Sequence, residues 1–130
     1  MIPVRVAVGA IRRGGRFFLQ RRDLESARFP GLWEFPGGKA EPAETLEAAL
    51  LRELREELEW TPERAEPLGA VEHDYGGFRV ELHLFLCEGP MPLDAQLAWG
   101  WFAPGEMARL PMPAANLRLV SLLGSGAPQL

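Results

Sequence analysis

From Thr45 to Leu58 the chain carries leucines at 46, 50, 54 and 58, with Ala48 and Ala49, and neither proline nor glycine. That spacing predicts one amphipathic helix whose core face holds Leu50, Leu54 and Leu58. The flanking segments follow a different period. Residues 4–11 and 16–22 are apolar, β-rich runs around Gly14-Gly15, which predicts a hairpin, and 23–31 is a polar loop. Residues 32–35 are a short strand stopped by Pro36. Two alternating runs within 67–89 meet at Gly76-Gly77 as a second hairpin, and 97–102 is a further strand. Pro104 suits the first turn of a short helix reaching Leu110, residues 113–123 form a closing helix, and 124–130 are a tail expected to fray. Strands around one long helix, with a second helix at the end, predict an α/β sandwich on a mixed sheet.

At 130 residues the chain suits a single domain, 1–130, with one core. A net charge of −4 argues against a polymeric nucleic acid held by its phosphates, which needs a basic face. A small anionic ligand stays possible, because a divalent cation can supply the positive charge. Cys87 has no second cysteine to pair with, which fits a reducing cytoplasm. No apolar run approaches the roughly 20 residues of a membrane span. The N-terminal run contains Arg5 and reads as a strand, not a signal peptide.

The helix also carries Glu53, Glu56 and Glu57, which at about 100° per residue span an arc of roughly 100° beside the leucine face. Like charges at such spacing cost a few tenths of a kcal/mol per pair. Oxygen ligands clustered at the rim of a buried face suit Mg²⁺ or Mn²⁺, hard cations that keep waters and bind phosphates. The plainer alternative is a solvated face laced with Arg–Glu pairs.

The spacing decides between them. The chain resembles the Nudix hydrolases, whose box runs G, five residues, E, seven residues, R-E-U-x-E-E-x-G-U, with U bulky and apolar. Gly38, Glu44, Arg52, Glu53, Leu54, Glu56, Glu57 and Trp60 stand at those positions. Within the family it most resembles the MutT-type 8-oxo-dGTP pyrophosphohydrolases, on "EFPGGK" before the box and Pro113-Ala114-Ala115-Asn116 near the C-terminus. The resemblance implies a Nudix-type α/β/α sandwich and cleavage of a nucleoside triphosphate to monophosphate and pyrophosphate. The expected substrate is 8-oxo-dGTP, in nucleotide-pool sanitising linked to DNA repair. A pyrimidine or general (d)NTP hydrolase is the alternative, and a non-catalytic sensing module a third. It implies Glu53, Glu56 and Glu57 as metal ligands with the carbonyl of Gly37 or Gly38, Arg52 orienting them, and Glu44 bracing the loop onto the helix.

Two departures stand out. Glu59 replaces the second box glycine, so it either adopts a left-handed cap at a cost of about 1 kcal/mol or lengthens the helix. The acid that many relatives carry before the penultimate strand falls on Ala95, beside Asp94, so either Asp94 substitutes or the helix acids act alone. For substrate, the resemblance points to Arg22 at the phosphates, with a solvated strand end as its alternative, and to Asn116 as base reader, with a helix cap as its alternative. Phe35 and Leu82 are candidate walls of the base pocket, with plain core as the alternative for Phe35, and Lys39 is a further substrate-binding candidate. His73 and His83 lack metal-ligand spacing, Cys87 reads as an inert buried thiol, and Trp33, Trp60, Trp99 and Trp101 as core or cleft lining. The partner is a small nucleotide, neither membrane nor nucleic-acid polymer, and the assembly is a monomer or homodimer.

Overall fold

The structure, a computed structural model, describes residues 2–124; the expected frayed tail, Gly124 apart, lies outside them. Seven strands and three helices follow in the order β1 (Val4–Arg13), β2 (Arg16–Arg21), β3 (Trp33–Glu34), β4 (Gly37–Lys39), α1 (Leu46–Leu58), β5 (Arg64–Asp74), β6 (Arg79–Glu88), β7 (Trp99–Phe102), α2 (Pro104–Met107) and α3 (Ala114–Val120), with a 3₁₀ turn at Ser121–Leu123. The sheet is mixed: β1 pairs β6 in parallel from Val4↔Val80 to Ile11↔Cys87, and every other pairing is antiparallel.

The first hairpin is shorter than its sequence predicts. Only Arg12↔Phe17 and Arg13↔Arg16 pair, after which β1 leaves β2 and runs between β4 and β6. Its residues 7–11 are buried on both faces, which is how a central strand reads. Alternation then sorts the core. Val8 and Ala10 join Phe17, Leu19, Val80, Leu82 and Leu84 under α2 and α3, while Ala7 and Ile11 join Phe18, Phe85 and Cys87 under the α1 leucines. This is the predicted α/β/α sandwich. Among the described residues no helix is long and apolar enough to cross a membrane.

β5 starts at Arg64, ahead of the expected 67, and keeps Pro67 inside it. The strand tolerates this because it pairs only β6 and its register slips between Pro67 and Gly69. The short helix stops at Met107 instead of Leu110, because the Arg109 and Leu110 N–H groups bond three residues back, to the Glu106 and Met107 carbonyls, and tighten the last turn. Trp99 departs from the core reading: it is 50% exposed on β7, stacked on Phe18 at 5.8 Å. Trp60 is buried and donates its indole N–H to the Pro90 carbonyl.

Thr45 caps α1, its Oγ1 accepting from the Ala48 N–H at 3.1 Å. At the other end Glu59 adopts the left-handed conformation, φ 48° and ψ 47°, and donates its N–H to the Arg55 carbonyl. The helix is not lengthened, so the cost of a side chain in that conformation stands. Glu59→Gly is expected to raise stability by up to about 1 kcal/mol, read as a shift in the denaturation midpoint, with turnover within a few-fold. A loss of stability would contradict the strain assigned to this exit.

Candidate active site

The site is assembled where α1 lies across β1 and β4, with Gln20 of β2 reaching its last turn. Arg52 is the centre of its bonding. Its Nε and Nη2 each donate to Glu44 at 2.8 Å, Nη1 donates to Glu53 Oε2 at 2.9 Å, and Nη2 also reaches the Lys39 carbonyl at 3.1 Å. Glu44 in turn accepts from the Glu41 N–H at 3.0 Å. The two-pronged guanidinium and that N–H hold the Glu44 carboxyl down at about 2. Loop, strand and helix are thereby locked together through Arg52 and Glu44.

Glu53 lies flat over Gly38. A methyl group added to Gly38 would meet the Glu53 carboxyl carbon at 2.2 Å, so that contact requires glycine. Glu57, four residues on, turns to the same side and accepts from Gln20 Nε2 at 2.6 Å. Burial pushes the Glu57 carboxyl up to about 8; the Gln20 bond opposes this, and neighbouring Glu53 and Glu34 add to it. Glu56 stands apart. Its side chain is 60% exposed and meets Arg52 Nη1 at 3.5 Å, because it lies about 100° round the helix from Glu57. Among the described residues no three acidic, histidine or cysteine side chains form a ready cage. The expected trio is therefore a converging pair, Glu53 and Glu57, with Glu56 on the rim. This donor set still fits Mg²⁺ or Mn²⁺, which take one or two carboxylates and leave positions for phosphates and water. Glu53 and Glu57 would hold the ion, with Glu56 and the Gly37–Gly38 backbone beside them.

Two adjoining cavities lie beside Glu57. One, about 370 Å³, is lined by Gln20, Arg22, Glu34, Gly37, Glu56, Glu57, Gln96 and Leu97. The other, about 460 Å³, has Val4, Val6, Val80 and Leu82 from β1 and β6, with Lys39, Tyr75 and Asn116 among its other walls. Arg22 and Glu34 line both. Leu82 and Lys39 both line the second of these.

The remaining candidates are placed by their bonds. Phe35 is 3% exposed and belongs to the core; it touches the site only through its N–H, which donates to Asn116 Oδ1 at 3.0 Å. Asn116 is not a cap, since α3 has no side-chain cap bond. Its oxygen must face the Phe35 donor, which turns its NH₂ away. Arg22 braces the loop after β2, giving Nε to the Arg28 carbonyl at 2.8 Å, Nη2 to Ser26 Oγ at 2.9 Å and Nη1 to both Glu34 oxygens at 3.2 Å. Asp94 is exposed and outside both cavity linings; its N–H donates to the Leu58 carbonyl at 3.0 Å, closing the end of α1. Gln96 lines the acidic cavity from the same loop.

Gln20 and Glu34 were not foreseen. Gln20 is a polar residue in an apolar strand, 3% exposed, and such a group needs a partner. Glu34 stands between Trp33 and Phe35, and burial raises its pKa against the pull of Arg22. His83 pairs with Glu81 at 2.6 Å and His73 lies 4.5 Å from the Tyr75 ring, away from the acid pair. Burial pushes the Cys87 thiol up to about 12, as an inert thiol requires.

An acid-bearing helix strapped by arginine to a glycine turn, on a mixed sheet between helices, defines a Nudix-type hydrolase. The NUDIX domain profile matches residues 7–122, and the chain belongs to that family. A protein from Escherichia coli K12 named CTP pyrophosphohydrolase is 32% identical over 123 residues, 92% of this chain and 90% of its own length. One from Haemophilus influenzae named 8-oxo-dGTP diphosphatase is 31% identical over 125 residues, again 92% and 90%. The crystal structure of a MutT NUDIX hydrolase from Burkholderia pseudomallei superposes with a TM-score of 0.81 at 30% identity, covering 95% of this chain and 99% of that one. This chain is a Nudix hydrolase, an enzyme of a family that uses divalent metals.

The raised Glu57 carboxyl has a measurable consequence. Unfolded, this group loses its proton near 4.5; folded without metal, it keeps it to about 8. Its contribution to stability is thus largest at low pH and is lost as pH rises from 4.5 to 8. In EDTA the thermal midpoint is expected to carry a downward component across that window, absent in Glu57→Gln. Identical slopes in both proteins would refute the assignment.

Proposed function

We propose that the chain hydrolyses a nucleoside triphosphate to its monophosphate and pyrophosphate, with 8-oxo-dGTP as preferred substrate, clearing an oxidised precursor from the nucleotide pool. One observation carries the reading: the nucleoside-sized cavity and the acidic cavity share Arg22 and Glu34, so a molecule with its base in the first has its phosphates beside Glu56 and Glu57. A bound divalent cation supplies neutralisation of the polyphosphate and acidifies a water. The chain's own groups do the rest. Arg52 fixes the Glu53 carboxylate against Gly38, Gln20 fixes that of Glu57, and the aliphatic floor excludes water from one face of the base.

For base choice, the carboxamide of Asn116 has one acceptor and two donors. With Phe35 N–H on the oxygen, its NH₂ is free to donate to O6 of 8-oxoguanine, and the second lone pair can accept the N7–H that ordinary guanine lacks. A buried mismatch there is worth about 1–3 kcal/mol, or one to two decades in kcat/KM. The same NH₂ also satisfies O2 or N3 of cytosine, which favours a pyrimidine triphosphate as the second reading. Both full-length relatives named above support the triphosphate class, one on each side of that choice.

Rates with 8-oxo-dGTP, dGTP, CTP and dCTP, in Mg²⁺ and separately in Mn²⁺, decide it; preferred hydrolysis of CTP or dCTP replaces the sanitising role. Asn116→Asp keeps the oxygen for Phe35 but removes the donors. Its kcat/KM for 8-oxo-dGTP is expected to fall about 10- to 100-fold with the melting temperature unchanged. An equal, small loss on every nucleotide would make Asn116 a scaffold residue.

A further inference from the structure

We propose that Phe29, on the loop between β2 and β3, is a base-clamping residue that closes the nucleoside cavity together with Tyr75 of the β5–β6 turn. The inference rests on the nucleotide reading above.

Phe29 lines the cavity and holds a left-handed backbone, φ 51°, which a bulky side chain rarely adopts. The neighbouring bonds impose it. The Arg28 carbonyl, on the peptide that leads into Phe29, accepts from both Arg22 Nε at 2.8 Å and Ser26 Oγ at 3.1 Å. The Phe29 carbonyl accepts from the Leu32 N–H at 3.2 Å. Strain kept in place by so many contacts belongs to a position whose side chain is needed where it points. That place is against Tyr75, with ring centroids 5.2 Å apart. Tyr75 stacks on Phe78 at 5.2 Å and 25°, and the Arg28 guanidinium covers Phe78 at 4.0 Å. The Tyr75 hydroxyl accepts from the Ala115 N–H at 2.8 Å, which joins this aromatic row to α3 next to Asn116.

Two loops far apart in the chain thus bring aromatic rings to the lining of a cavity whose sheet wall is aliphatic, Val4 beside Val80 and Val6 beside Leu82. Stacking tolerates any base, so the clamp sets affinity for the nucleoside and leaves base choice to Asn116.

Phe29→Gly suits the backbone and removes the ring. It is expected to raise KM for nucleoside triphosphates about ten-fold or more, with kcat within two-fold and the melting temperature kept or raised. Ribose 5′-triphosphate, which has no base, should show no change, and Phe29→Tyr should restore the wild-type KM. An unchanged KM overturns the clamp, as does an equal rise for ribose 5′-triphosphate, which would indicate a disturbed loop. Calorimetry with dGMP and CMP in EDTA separates the clamp from the activity. Weaker binding by Phe29→Gly than by wild type supports the clamp whatever the turnover, and a wild type that binds neither monophosphate overturns it. A wild type that binds them yet cleaves no triphosphate sinks the pyrophosphohydrolase reading alone.

Discussion

Glu57→Gln and Glu53→Gln are each expected to lower kcat by at least about 10²-fold and to leave the fold intact. The size follows from losing charge stabilisation centred on a divalent cation at the reacting phosphate. Intact folding follows from the bonds around the pair. A glutamine at 57 can still accept from Gln20 Nε2, and it removes a carboxyl whose burial disfavours its charged form. Glu56→Gln should cost less than either, because Glu56 sits on the exposed rim and its strongest partner is Arg52 at 3.5 Å. Steady-state rates on the preferred triphosphate, with circular dichroism as the folding control, test the order. Near-normal turnover in the Glu53 or Glu57 variant, or full activity in excess EDTA, would remove metal-dependent catalysis from this helix.

The helix and its acids were legible because both depend on local spacing. Leu50, Leu54 and Leu58 recur with the helical period and are fully buried, and Arg52 and Glu44 meet across a turn that the chain itself closes. What escaped depends on residues far apart in sequence. Nothing within 4–22 says that β1 abandons β2 after two pairs, since its other partners lie at 37–39 and 80–87. Asn116 was expected at the base with its whole amide free, but its oxygen serves Phe35, 81 positions away. Gln20 was the one miss with a visible signal, a lone amide closing the apolar run 17–19. Phe29 gave none, because its left-handed backbone comes from the bonding of Arg22.

The two glycines before the box should fail in different ways when each becomes alanine. Gly37 has φ 148°, and a methyl group there would lie 2.1 Å from the Ala7 carbonyl oxygen and 2.8 Å from the Val8 Cα. Both obstacles are backbone of the central strand paired with β4, so no side-chain rotation relieves them. Gly37→Ala is therefore expected to destabilise the fold by about 3 kcal/mol or more. At Gly38 the three atoms nearest the same methyl group all belong to the Glu53 carboxyl, at 2.2 to 2.5 Å. That side chain can swing aside, so Gly38→Ala should melt close to wild type yet lose at least about 10²-fold in kcat, as Glu53→Gln does. Because both changes act through the same carboxylate, the double variant Gly38→Ala, Glu53→Gln should be little worse than either single one. Melting temperatures and kcat for the four variants decide the matter. A fully active Gly38→Ala would show that the Glu53 carboxylate need not lie over the turn. Multiplying losses in the double variant would mean that Gly38 contributes separately from Glu53.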